Sequence, residues 1–365
     1  MDNLSSILSE FDIESENISG SGETIPSGHI NDTYRVELSG KEYVLQKINH
    51  NIFSDVSGLM KNIHMVTEHL RKKIRARGGD ENRETLTVLL TKSGSPFLKT
   101  KDGSYFRLYK YITNTDTYQQ VENKKQLYYV AKAFGRFQND LADFPAEKLT
   151  ETILNFHNTK SRFEALVKAA ADDIAGRKKD VLPEIEFVLS KKEDTELILN
   201  CINSGEIPLR VTHNDTKLNN ILFEKGRDTA VCVVDLDTVM PGSMLYDFGD
   251  AIRFGASSAE EDETDLDKIY CDLELFESFT KGFLEEVAKS MTKKEIELLA
   301  FSAKLITLEV GMRFLTDHLN GDVYFKVHKP NHNLDRARNQ FKLVMDMENK
   351  MEEMNNIVNT LIKAL

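Results

Sequence analysis

The sequence predicts an α+β fold in two parts: a small N-terminal β-sheet carrying one helix, and a larger, mostly helical remainder. Three observations predict it. The chain has 365 residues, more than one hydrophobic core usually serves, so lobes sharing a cleft are expected. Extended, alternating segments are concentrated in residues 1–112. Helical periods dominate residues 113–365, interrupted by one compact polar and β-branched region from Arg210 to about Phe254.

Each element has a local reason. Leu4, Ile7, Leu8 and Phe11 recur at the spacing of one helical face, which predicts a short packing helix. Thr33–Leu38 and Glu42–Ile48 flank the turn Ser39-Gly40-Lys41 and read as a β-hairpin. Residues 55–75 are helical, with Val56, Leu59, Met60, Ile63, Val66, Leu70 and Ile74 as the apolar series. Past the polar turn Arg77-Gly78-Gly79-Asp80, Thr85–Leu90 and Tyr105–Ile112 read as two more strands. Beyond Thr113-Asn114-Thr115-Asp116 the series Leu127, Val130, Ala131, Phe134, Phe137 and Leu141 opens the helical part, so the boundary is placed at residue 112. Later helices are expected over Thr292–Asn320, with Gly321 as the C-cap, and from Leu334 to the end. The stripe Met347, Met351, Met354, Val358, Leu361 and Leu365 is heptad-like but short, which favours docking on its own lobe over a coiled coil. The run Glu260–Asp265 reads as a solvated loop.

Composition narrows the partners. Hydrophobic residues at 40% and charged residues at 29% describe an ordinary globular chain that can bury a core. The 47 Lys+Arg against 59 Asp+Glu leave a net charge of -12, a field that repels phosphate backbones and anionic lipid. Neither nucleic acid nor a membrane surface is an expected partner. No window approaches the ~20 apolar residues of a membrane span, and the acidic start Met1-Asp2-Asn3-Leu4 lacks the layout of a signal peptide. A cytoplasmic location is therefore expected. Cys201, Cys232 and Cys271 are odd in number and far apart, and read as small core residues rather than a disulfide or metal set.

The chemistry concentrates in the interrupting region. His213-Asn214-Asp215-Thr216-Lys217-Leu218-Asn219-Asn220 follows an apolar approach and opens a loop. Taken alone, such a stretch is also an ordinary turn, because Asp and Asn cap and turn chains routinely. The next segment, Val231-Cys232-Val233-Val234-Asp235, is a buried-strand run that ends abruptly in carboxylates, and a short hairpin would return Asp235 beside Asn220. An Asn amide and an Asp carboxylate are hard oxygen ligands that suit Mg²⁺ held together with substrate phosphates.

These two segments resemble the catalytic machinery of the protein-kinase-like fold, with its His-x-Asp-x-x-x-x-Asn loop and downstream metal-binding Asp. That resemblance implies a bilobal fold, ATP and Mg²⁺ as cofactors, and a small-molecule substrate. It makes Asp215 the residue that accepts the proton of the substrate hydroxyl, and Asn220 and Asp235 the Mg²⁺ ligands. Lys217 takes the place of a lysine that touches the transferred phosphoryl group; a solvated lysine is the alternative. Lys47, in Val44-Leu45-Gln46-Lys47, matches the V-x-x-K position of the kinase phosphate lysine, and Glu68 on the following helix is its best-placed acidic partner, unless it belongs to an ordinary charged helix face. Tyr109 and Tyr111 fall where the interlobe hinge would read adenine with backbone groups. Gly20, Gly22 and Gly28 lie where a phosphate-covering turn would run, without a regular glycine motif. Asp247-Phe248-Gly249 spells a familiar kinase triplet but lies too far past Asp215, so Asp247 is assigned a structural task, bracing the loop from the start of a helix.

No activation loop of the protein-kinase type follows Asp235, and the pattern resembles the aminoglycoside phosphotransferase and choline kinase group. The string from Val234 through Gly242, with Tyr246 to Gly255 after it, is similar to that of N-acetylhexosamine 1-kinases. That similarity implies phosphate transfer from ATP to the anomeric hydroxyl of N-acetylglucosamine or N-acetylgalactosamine. The late helix adds Glu309 and Arg313, four apart and able to pair within the helix. Arg313 and Tyr324 offer a donor and an aromatic face for a sugar, with Asp237 behind them and His29 reaching from the upper lobe. The alternatives are a kinase for a cationic acceptor such as an aminoglycoside or choline, which the net negative charge would suit, and a nucleotide-binding pseudokinase. A metal-dependent hydrolase lacks a His-rich ligand set.

Overall fold

The computed structural model describes residues 4–13, 22–25, 30–121 and 123–365. The chain forms two compact units that interleave along the sequence. One contains Met1–Thr117, Asp143–Leu154 and Ile221–Pro241, and the other Tyr118–Ala142, Asn155–Asn220 and Gly242–Leu365.

The first unit is built on an antiparallel sheet of β1 (Gly22–Thr24), β2 (Asp32–Leu38), β3 (Lys41–Ile48), β4 (Val88–Leu89), β5 (Leu98–Lys99) and β6 (Tyr105–Lys110). Its order is β1-β2-β3-β6-β4, and β5 also pairs with β6. The β2–β3 hairpin closes with Leu38 opposite Lys41, through Ser39 (φ 52°) and Gly40 (φ 73°). Two consecutive left-handed residues are what a tight turn between twisted strands requires. Alternation collects Val36, Leu38, Leu45 and Leu108 into one core with Ile7 and Leu8 of α1 (Leu4–Leu8) and with Phe11. Helix α2 (Val56–Ala76) starts where the Asp55 carboxylate accepts the Gly58 N–H at 2.8 Å. A second sheet joins β7 (Thr115–Asp116), β9 (Ile221–Glu224) and β10 (Ala230–Val233) in the order β10-β9-β7. The strand expected over Thr85–Leu90 contracts to β4, and β1, β5 and β7 carry two or three residues each, too few to show a period in sequence.

The second unit holds α3 (Lys124–Asp140), α4 (Thr159–Asp172), α5 (Leu182–Leu189), α6 (Asp194–Asn203), the short strand β8 (Arg210–Thr212), α7 (Met244–Gly255) and α8 (Leu273–Val287). It continues through α9 (Lys293–Glu297), α10 (Leu299–Leu319), α11 (His332–Asn349) and α12 (Met351–Ala364). Helix α10 is apolar nearly all round and is accordingly enclosed, with α4, α7, α11 and α12 packed about it. At Gly249 α7 comes so close to α10 that a Cβ would run into the Ser302 carbonyl oxygen. Phe248 meets Phe276, Phe279 and Phe283 of α8 at centroid distances of 6.1, 5.6 and 5.4 Å, which joins α7 to α8.

The interrupting region contains α7, the helix from whose start Asp247 was expected to brace the loop. Three expectations change here. The helix expected over Thr292–Asn320 is two: α9 opens on a capping box of Thr292 and Glu295, and Leu298 separates it from α10. The last helix breaks at Lys350, so its stripe is discontinuous; Met347, Met354 and Val358 are buried, while Leu365 stays exposed. As expected, α12 packs on its own unit, against α8 and α10. The acidic run is anchored rather than simply solvated: Glu261 pairs with Arg253 at 2.8 Å, Asp262 with Arg336 at 2.6 Å, and the Asn339 amide donates to the Glu260 and Glu263 carbonyls. All three cysteines are free and buried. Among the described residues no helix is long and apolar enough to cross a membrane.

Candidate active site

The loop after β8 is fixed from two sides within its unit. His213 is fully buried, edge-on to Phe134 and Phe137 of α3 at 5.5 and 5.9 Å, and its Nδ1 accepts the Asp215 N–H at 3.3 Å. Asn214 takes a left-handed backbone (φ 65°), a conformation Asn tolerates better than most residues. From α7 the Asp247 carboxylate accepts the His213 N–H at 2.9 Å, the Asn214 N–H at 2.7 Å and the Gln138 side-chain amide at 2.5 Å. One turn on, Asp250 accepts the Thr216 N–H at 3.0 Å. The Thr216 hydroxyl donates to the Asp247 carbonyl at 2.7 Å. Asp247 thus does the bracing work its place near the helix start suggested, and Asp250 shares it. Burial pushes the Asp247 carboxyl above the usual range; for Asp250 burial pushes the same way, but Arg253, Lys217 and His157 outweigh it and hold that carboxyl low.

On this braced loop the side chains singled out by the sequence converge. The Asn220 Nδ2 donates to the Asp215 carbonyl at 2.8 Å and to Asp215 Oδ2 at 3.1 Å. Both bonds use the nitrogen, so Asn220 Oδ1 remains without a partner among the described residues. Lys217 Nζ lies 2.7 Å from Asp215 Oδ1. Burial lowers the Lys217 pKa, but the Asp215 and Asp250 carboxylates outweigh burial and hold the ammonium above the ordinary lysine value.

Beside the loop lies a cluster that sequence reasoning only half identified. His157 is buried with Nδ1 2.7 Å from Glu309 Oε1 and Nε2 3.3 Å from the Asn214 carbonyl. Glu309 Oε2 accepts the Thr159 hydroxyl at 2.6 Å, so this carboxylate serves His157 and Thr159 rather than an intrahelical pair with Arg313. The Arg313 guanidinium lies 5.7, 5.9 and 5.5 Å from the ring centroids of Phe156, Tyr324 and Phe325, so Arg313 and Tyr324 are brought together as expected. Tyr324 is 70% exposed, on a loop whose N–H groups at Val323, Tyr324 and Phe325 are gathered by Asp317. Arg162 of α4 joins the cluster by donating to the Phe156 carbonyl at 3.1 Å. His157 and Arg162 stand far from the motif in sequence and carried no signal.

In the first unit, Lys47 sits on β3 between Asp32 and Phe106 in register and has no ion-pair partner among the described residues. Glu68 is not its partner: it lies 3.7 Å from Arg71 and is half exposed, because the buried face of α2 runs through Ile63, Val66, Thr67 and Leu70 and leaves Glu68 outside. Tyr109 is buried under the Arg107 guanidinium at 5.3 Å, and burial raises its phenol. Tyr111 stacks with Arg35 at 4.7 Å and its N–H is already given to the Glu42 carbonyl, at 3.0 Å. His29, Gly20 and Gly28 lie outside the described residues; Gly22 opens β1.

Asp235 follows β10, exposed and in the left-handed region (φ 59°). Non-glycine residues pay strain to sit there, and such strain clusters at functional sites. Asp237 is corrected: it is 4% exposed, with Oδ1 2.5 Å from Arg107 Nη1 and Oδ2 accepting the Asn31 amide at 2.6 Å. Both oxygens are committed inside the unit, which makes Asp237 a positioning group rather than a sugar contact. Arg107 also donates from Nε to Gln46 at 2.9 Å. A charged residue inside the apolar strand Tyr105-Phe106-Arg107-Leu108 was the one available signal for this network.

Comparison with known structures and families bears on the whole chain. An aminoglycoside phosphotransferase from Alicyclobacillus acidocaldarius matches with a TM-score of 0.59 at 12% identity, covering 99% of this chain and 96% of its own. Choline kinase from Cryptosporidium parvum matches with a TM-score of 0.58 at 14% identity, covering 99% of each chain. A microcompartment-associated aminopropanol kinase matches with a TM-score of 0.57 at 13% identity, covering 96% of this chain and 97% of its own. The likeness is one of fold: an N-terminal antiparallel sheet and a mostly helical C-terminal part, as in protein-kinase-like enzymes. The family model for the phosphotransferase enzyme family matches residues 21–277, more than half of the sequence and inclusive of the loop at Asp215 and the acid at Asp235. The chain belongs to the phosphotransferase enzyme family.

Proposed function

We propose that the protein is an ATP-dependent kinase that phosphorylates the anomeric hydroxyl of an N-acetylhexosamine, giving the sugar 1-phosphate. The observation that carries the kinase reading is the braced Asp215 with Asn220 and Lys217 bonded to it. The sugar reading rests on the sequence resemblance and on Arg313 among aromatic rings.

In this reading residues 1–112 hold the nucleotide, with Lys47 toward its phosphates and the backbone near Tyr109 and Tyr111 toward its base, and residues 113–365 hold the acceptor. Asp215 orients the acceptor hydroxyl and takes its proton as the new O–P bond forms and the β–γ bridge breaks to release ADP. Lys217 neutralises part of the negative charge beside the base. By the sequence resemblance Asn220 and Asp235 would hold Mg²⁺: an amide oxygen and a carboxylate are the hard oxygen donors this ion takes together with nucleotide phosphates. When bound, Mg²⁺ supplies neutralisation of charge gathering on the β–γ bridge. Arg313 and Tyr324 contact the sugar.

The test is phosphorus NMR of the product formed from ATP, Mg²⁺ and N-acetylglucosamine or N-acetylgalactosamine. Phosphate on the anomeric oxygen supports the reading, and its absence rejects it. Asp215→Asn should cut turnover roughly 10²–10⁴-fold while nucleotide binding persists. The second reading, a cationic acceptor, is favoured by the net charge of -12 and by the names of the fold relatives. A panel including choline and an aminoglycoside separates the two.

A further inference from the structure

We propose that Arg162 is a second acceptor-binding residue, which with Arg313 takes oxygen atoms of an uncharged, hydroxyl-rich acceptor and rejects amine-bearing ones. The inference rests on the kinase reading and names the substrate class its acceptor end would recognise.

The two guanidiniums gather at one residue. Arg313 lies 5.7 Å from the Phe156 ring, and Arg162 donates to the Phe156 carbonyl at 3.1 Å. Neither arginine has an ion-pair partner among the described residues. Glu309, one turn before Arg313 on the same helix, has both oxygens occupied by His157 and Thr159. Burial and the like charge of Arg313 both lower the Arg162 pKa, and Glu309 and Tyr324 offset them only in part. Arg162 Nε is buried without an acceptor among the described residues, and a buried donor left unmade is costly in a folded protein.

The cluster also adjoins the chemistry. The Phe156 ring lies edge-on to His157 at 4.8 Å, and His157 reaches the carbonyl of Asn214, the residue before Asp215. An acceptor presented to Asp215 would bring its distal oxygens toward these guanidiniums and its ring face toward Phe156 and Tyr324. Two unpaired cations repel an ammonium group, whereas hydroxyl and amide oxygens accept from Nε–H and Nη–H.

The experiment is steady-state kinetics of the full chain and of Arg162→Gln and Arg162→Lys, with ATP, Mg²⁺ and a panel of N-acetylglucosamine, N-acetylgalactosamine, glucose, choline and an aminoglycoside. Loss of a charged hydrogen bond to a neutral acceptor should raise the acceptor KM of Arg162→Gln about 10- to 100-fold, with KM for ATP and kcat within twofold. Arg162→Lys should recover only part of this loss, since it restores charge without the forked geometry. A merely structural arginine would instead lower the urea midpoint and shift kcat and both KM values together. An unchanged acceptor KM on N-acetylhexosamine overturns the inference and leaves the proposed function standing. Activity on glucose alone overturns the N-acetylhexosamine reading, and Arg162→Gln on glucose then decides the inference. Preference for choline or the aminoglycoside overturns both. Should nothing turn over, calorimetric titration of N-acetylglucosamine decides, and equal binding by both proteins, or none by the unmodified chain, rejects the inference.

Discussion

Replacing Arg107 by Met tests whether the buried pair with Asp237 organises the first unit. The two side chains are 1% and 5% exposed, and Asp237 keeps only the Asn31 amide when the guanidinium is removed. Breaking a buried pair from one side strands a charge and costs about 3–5 kcal/mol, whereas replacing both partners by apolar groups is often close to neutral. The Gln46 carbonyl also loses its donor. At roughly 2–4 °C per kcal/mol for a unit of this size, Arg107→Met should lower the unfolding temperature by about 6–20 °C. The double variant Arg107→Met/Asp237→Leu should recover most of that loss. The assay is differential scanning calorimetry, with urea unfolding followed by circular dichroism as the check on free energy. The reasoning is refuted if the single variant loses less than about 1 kcal/mol, or if the two losses simply add, since coupled partners are non-additive. Because Asp235 precedes Asp237 by two residues, the single variant should also raise the Mg²⁺ concentration needed for half-maximal activity.

Three further outcomes follow from the second unit. Burial lowers the His157 pKa, but Glu309 outweighs it and holds the folded value above the ordinary histidine range. The native state therefore binds the proton more tightly than the unfolded one, so this stabilisation is complete below the unfolded pKa, ~6.5, and fades as pH rises through the folded value. Urea midpoints of His157→Gln between pH 6 and 9 should lack that decline, and an unchanged slope would contradict it. Gly249→Ala forces a methyl group against the Ser302 carbonyl and should destabilise by about 1–3 kcal/mol by overpacking, read as a lower melting temperature with little change in KM for ATP. In Asp247→Asn a donor replaces one of the oxygens that receive the His213 and Asn214 N–H groups. Leaving such a donor unpaired costs about 1–3 kcal/mol, and turnover should fall more than ATP affinity; equal falls would mean that Asp247 only supports folding.

How much was legible depended on range. The β2–β3 hairpin was readable because strand alternation and the Ser39-Gly40 turn are local, and α2 because a helical face repeats every few residues. The loop at Asp215, with Asn220 five positions on, could be read because its partners lie within one turn of chain. Asp247 could be assigned to bracing by elimination, since its distance from Asp215 ruled out the metal role.

What failed were charge pairings decided by contacts between distant segments. Glu68 had the right spacing after Lys47, but the buried face of α2 points it toward Arg71. Asp237 looked like a second site acid, yet desolvation demanded a partner and Arg107, 130 positions away, supplied it. Asp250, one turn past Asp247 on α7, braces the Thr216 N–H, a share of the work that chain order did not reveal. By itself the sequence determined the element types, the spacing of the Asp215 loop and the acid after β10, because propensity and periodicity act over a few residues. Only the tertiary structure decided which charges are paired and which, at Arg162 and Arg313, lack an ion-pair partner among the described residues, because burial and ion pairing are properties of neighbours that the chain order does not record.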